Sequence, residues 1–197
     1  MADQLEKPFT TASPVNAVFN FTDIASGTGY NTYYLIESED SAGADYHLTP
    51  NNDYSNSVFV VVDSGAITDS DRDDDLTPFV FPRIIDGTVL ISIAAYTGGG
   101  ISPTWTVELY RYDGNSETQI GSTLTYNDSI NGAEMLYMRM DVNNELIPAG
   151  ENLRMRVRLQ NASATTARYG TDPANRTDGN LTITTTSKIS IILEFKV

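Results

Sequence analysis

Apolar and polar positions alternate along most of this chain. In residues 188–197, Ile189, Ile191, Leu193, Phe195 and Val197 fall on one side, and Ser190, Glu194 and Lys196 on the other. A period of two marks a strand with one buried face. The same alternation is sharpest in residues 152–160, where Leu153, Met155, Val157 and Leu159 oppose Arg154, Arg156 and Arg158. It recurs in 134–142 (Leu136, Met138, Met140, Val142) and in 103–113, where Trp105, Val107 and Leu109 point inward. Residues 88–96 carry Val89, Ile91, Ile93 and Ala95 on one face, and 58–62 is a short β-branched run suited to a buried strand. Further strands are predicted over 15–21, 30–37, 117–127 and 181–185.

Turn residues punctuate these segments. Asp86-Gly87, Gly98 to Gly100 and Asn131-Gly132 are read as turns or strand ends, Asp113-Gly114-Asn115 as a hairpin, and Pro148 to Gly150 as a tight turn. The stretch 79–85, interrupted by Pro82, reads as an edge or irregular strand. Polar loops are predicted over 39–57, 64–78 and 161–180. Eight to ten strands with no helical rhythm predict an all-β fold: a two-sheet antiparallel β-sandwich, jelly-roll-like. The final strand, the most apolar, is expected inside a sheet between strands made earlier. Residues 1–14 read as an N-terminal arm and 15–197 as a single β-sandwich domain.

Composition narrows the function. The 197 residues contain 26 acidic and 12 basic side chains, a net charge of −14. Phosphate binding needs a basic footprint, so nucleic acid is not an expected direct partner. No apolar run approaches the roughly 20 residues that span a bilayer, and the first residues lack the apolar core of a secretory signal. The expectation is synthesis in a cytoplasm and no membrane partner. There is no cysteine, hence no disulfide and no thiolate chemistry.

Three groups are candidates for chemistry. Asp69, Asp71 and Asp73 have the alternate spacing with which carboxylates wrap calcium. The sixth position, Asp74, lacks the required glycine and the twelfth, Val80, lacks the bidentate glutamate, so calcium competes with a solvated acidic loop. Arg154, Arg156 and Arg158 form a row of like charges that something must neutralise. Either acidic residues on a neighbouring strand of the same subunit do so, or the row lies at a subunit interface or meets an anionic partner. His47, the only histidine, is read as a surface loop residue. Alone it supports neither a transition-metal site nor a nucleophilic triad, and the chain is expected not to be an enzyme. Tyr30, Tyr33, Tyr34, Tyr46, Tyr54, Tyr110 and Tyr112 are candidates for stacking on sugars.

The segments 105–114, 118–122 and 147–158 resemble, in style, jelly-roll virion accessory proteins of tailed phages, the head decoration or cement type. The likeness extends over residues 80–197. It implies a non-enzymatic virion structural protein on the capsid surface, forming a homotrimer and contacting the major capsid protein. The alternative is a carbohydrate-binding jelly-roll module or a phage fibre receptor-binding domain.

Overall fold

The computed structural model describes residues 30–40, 43–51, 60–62, 68–161, 166–171 and 186–195. The expected arm, the strand at 15–21 and the strand at 181–185 lie outside these residues. The fold is all-β. Its strands are β1 (Asn31–Asp40), β2 (Gly43–Thr49), β3 (Val60–Val62), β4 (Thr68–Asp75), β5 (Arg83–Ile101), β6 (Thr104–Tyr112), β7 (Glu117–Tyr126), β8 (Ile130–Ile147), β9 (Asn152–Asn161), β10 (Ala167–Tyr169), β11 (Lys188–Ile191) and β12 (Leu193–Phe195).

Pairing runs through one continuous path, β3-β10-β5-β11-β1-β2-β4-β9-β6-β7, with β8 and β12 also on β5. The expected two antiparallel sheets are therefore one curled, mixed sheet. The joint is the parallel pairing of β2 with β4 through His47 and Asp75. As expected, β11 lies inside the sheet, between β1 and β5. The long ribbon β5–β8 forms the spine, and β10, β11 and β12 line up along the other edge of β5.

Several predicted turns are bulges within this ribbon. At Asp86-Gly87 the pairing steps from Ile85–Glu145 to Gly87–Val142, so β8 carries one extra residue. Asn144 absorbs the kink at φ 50° and Gly87 at φ 113°, while the Asp86 carboxylate accepts the Asn144 amide at 3.2 Å. The glycines at 98–100 bulge from β5 rather than ending it, and Asn131-Gly132 lies within β8. Glycine and Asx residues serve bulges as readily as turns, because both need backbone away from ordinary strand geometry. The Asp113 hairpin and the Pro148 turn form where the sequence places them. Asp113 Oδ1 accepts the amides of Asn115 and Ser116, and the Glu151 amide donates to the Pro148 carbonyl.

The concave side of the curl holds the core. Trp105, Val107 and Leu109 of β6 and Leu153, Met155, Val157 and Leu159 of β9 are fully buried against Ile91, Ile93, Leu136, Met140, Ile189 and Ile191. β7 closes over β8: a Cβ on Gly121 would come within 2.6 Å of Met140 Sδ. The Gly121 backbone of β7 is thus packed directly against the Met140 side chain of β8.

Candidate functional site

Residues 68–75, expected within a polar loop, form strand β4. Their charges hid the strand, since the period of two here separates acids from acids rather than apolar from polar. Asp71, Asp73 and Asp75 share the outward face, and Asp74 is completely buried on the other. An extended strand lines alternate carboxylates in a row rather than wrapping them around one ion. The Asp69 side chain lies outside the described residues. Among the described residues, no cluster of three or more His, Asp or Glu side chains is placed to hold a metal ion.

β4 pairs with β9 in the register Asp71–Arg158, Asp73–Arg156 and Asp75–Arg154. The acidic row and the arginine row, separate in the sequence, are one object. Arg154 grips Asp75 with two bonds of 2.6 Å, through Nε and Nη2. Arg156 does the same to Asp73 at 2.6 and 2.9 Å, and Arg158 to Asp71 at 2.6 and 3.1 Å. Forked geometry of this kind is the strong form of the ion pair. From the far side Glu117 of β7 accepts Arg154 Nη1 at 2.6 Å and Arg156 Nη2 at 2.8 Å. Arg154 and Arg156 also lie over the rings of Tyr112 and Tyr110, at 3.7 and 4.9 Å. Tyr110 then donates to Glu108 at 2.8 Å, and Thr123 reaches the other Glu108 oxygen at 2.8 Å. Four strands are laced together on their outer face.

The electrostatics follow. Hydrogen bonds donated to Asp75 and Asp73 hold Arg154 and Arg156 well above the ordinary guanidinium range, against the opposing effect of partial burial. The bond from Arg158 lowers the Asp71 carboxyl below its ordinary value. Burial, then the bond to Glu108, raises the Tyr110 phenol. A carboxyl whose folded value lies below its unfolded value of about 3.9 stabilises the fold fully above that pH, and the gain is lost as pH falls through the folded value. Thermal melts from pH 7 to pH 2 are therefore expected to show the ladder's Asp71 contribution intact down to about pH 4 and declining below it. Asp71→Asn should flatten that acid-side decline; an unchanged profile would remove Asp71 from it.

The sugar-stacking candidates disperse. Tyr110 and Tyr112 are covered by arginines, Tyr46 lies under Arg72 at 4.8 Å, and Tyr33 packs on the core. Tyr54 lies outside the described residues, Tyr30 is 44% exposed, and Tyr34 is half-buried. His47 sits on strand β2 rather than on a loop, and it is exposed.

Two features escaped the sequence reading. Glu117, read only as the start of a returning strand, is the acid that bridges two arginines. Val80 and Phe81, read as part of an edge strand, form an apolar tip 80% and 60% exposed. The tip stands on a braced connection. The Leu76 amide donates to the Leu153 carbonyl, the Phe79 amide to Glu151 and the Gly150 amide to Phe79, at 2.8–2.9 Å. Arg83 covers the Phe79 ring at 5.7 Å. A run of Phe79, Val80 and Phe81 before Pro82, in a segment too irregular for a buried strand, was the available signal.

No family model matches the chain, and no curated protein matches it. Among solved structures it is similar to an alpha-amino acid ester hydrolase at 14% identity and a TM-score of 0.48, covering 63% of this chain and 25% of that one. It is also similar to a carbohydrate-binding module specific for non-crystalline cellulose, at 11% identity and 0.38, covering 83% and 80%. Eiger TNF from S. frugiperda matches at 10% identity and 0.35, covering 86% and 96%. The chain spans about a quarter of the hydrolase's length. At these scores the likenesses assign neither a family nor a function.

Proposed function

We propose that the protein is a non-catalytic structural subunit, a capsid decoration protein that attaches to the virion surface through the Val80–Phe81 tip. The exposed tip carries this reading. Large apolar side chains that are open to water yet held on a braced backbone have the character of an interface anchor. Pre-ordering removes part of the entropy cost of docking. The arginine row is neutralised within its own subunit, which moves the expected contact surface from that row to the tip. The lacing of β4, β9, β6 and β7 supports the same reading, since a stiff face suits a protein that braces a shell. The resemblance of residues 80–197 to virion accessory proteins supplies the setting. The test is attachment to capsid shells stripped of the protein, comparing the wild type with Phe81→Ser. The substitution lies outside the core, so attachment is expected to fall at least tenfold with the melting temperature unchanged.

A further inference from the structure

A cavity of about 470 Å³ opens where β2 and β4 part beyond their single pairing at His47 and Asp75. Its volume lies within the roughly 300–1,000 Å³ typical of small-ligand clefts. Ile36, Leu48 and Leu76 give it an apolar floor. Asp75, Thr77, Asn152 and His47 supply polar groups around it. The β4–β9 register, carried one outward pair beyond Asp75–Arg154, brings Thr77 opposite Asn152. The cavity is thus the open end of the charge ladder, where the last arginine–aspartate pair gives way to an uncharged pair.

Asn152 is the informative residue. It is 7% exposed and its side chain lines the cavity. An amide both donates and accepts, so a ligand must do the same. An apolar occupant would offer that amide no hydrogen bond, at a cost. An anion would face the Asp75 carboxylate. A cation would find that carboxylate already gripped twice by Arg154 and no second acid in the lining. Each Asp75 oxygen still has a lone pair for a neutral hydroxyl. The lining has no phenylalanine, tyrosine or tryptophan ring on which a planar base could stack.

We propose that this cavity binds a neutral pyranose sugar, either free or as the terminal unit of a glycan. Its ring hydroxyls meet Asn152, Asp75 and Thr77, and its C–H face lies on Ile36, Leu48 and Leu76. This activity is separate from attachment through Phe81, and each can fail without the other.

The test uses the full chain. Glucose, galactose, mannose and N-acetylglucosamine are titrated by calorimetry and ligand-observed NMR, and the same protein is applied to an array of neutral and sialylated glycans. Binding of a free sugar, or of array glycans alone, supports the site and distinguishes its two sources. Asn152→Ala is expected to weaken binding at least tenfold. Thr77→Val, at an exposed position, should weaken it several-fold and keeps the test open should Asn152→Ala fail to fold. The proposal is overturned by no binding in either arm, by a preference for sialylated glycans, or by binding that the variants leave within twofold.

Discussion

Replacing Trp105 with alanine is expected to destabilise the fold by about 3–5 kcal/mol, the range for a large aromatic lost from a packed core. Trp105 is 0% exposed and sits near the start of β6, flanked by β7 and β9. Its ring meets Tyr126 edge-on at 6.4 Å. The strands around it are hydrogen-bonded on both sides and cannot collapse into the void. For a chain of this size the melting temperature should fall by about 10 °C. Trp105→Phe should be much milder. The indole Nε1 is buried and has no hydrogen-bond partner among the described residues, so phenylalanine loses volume but also removes that donor. Calorimetric melts of both variants check this; equal losses would mean that the cavity is not the dominant cost.

Arg156→Ala carries the second largest expected effect, a loss of about 2 kcal/mol, placed between the small value of exposed pairs and the larger cost of breaking buried ones. The intermediate value follows from the exposures, 18% for Arg156 and 31% for Asp73. The change strips Asp73 of its forked partner, removes one of two bonds to Glu117 and uncovers Tyr110. Part of the effect is relief-free repulsion: Asp71, Asp73 and Asp75 remain side by side on β4 with one positive charge fewer. A double-mutant cycle with Asp73→Ala should give a coupling of about 1–2 kcal/mol in urea melts. Coupling below about 0.3 kcal/mol, the ordinary error of additivity, would mean that the ladder is decoration on a fold held by its core. Arg156→Lys should not restore the loss, because an ammonium cannot fork onto the carboxylate and reach Glu117 in the same plane.

The sequence made the buried strands legible and the charged ones illegible. β6, β8, β9 and β11 announce themselves because apolar residues recur at every second position, from Trp105, Leu136, Leu153 and Ile189 onward, with mostly polar residues between. β4 does not, since its outward row is Asp71, Asp73, Asp75 and its inward row includes Asp74. A hydrophobic pattern has nothing to alternate there. β2 hid for a related reason, as a short polar stretch around His47. Yet the partner of β4 was written in the chain. Aspartates at alternate positions in one segment and arginines at alternate positions in another are complementary along a shared strand register. Reading the two rows against each other, rather than each for its own chemistry, would have paired them. The curl is different in kind. Whether strands close into one sheet or two depends on the β2–β4 joint, a single pair, and no local pattern marks it. The bulges at Gly87 and Gly98 to Gly100 mislead for a physical reason, since the residues that permit a turn also permit an unpaired residue inside a strand.

The central claim, attachment to a shell through the Val80–Phe81 tip, is tested most directly by co-sedimentation with capsid shells lacking the protein. The wild type is expected to pellet with the shells in saturable fashion, and Phe81→Ser to stay in the supernatant with an unchanged melting temperature. A wild type that never pellets, or a Phe81→Ser variant that pellets as well as it does, would contradict the account.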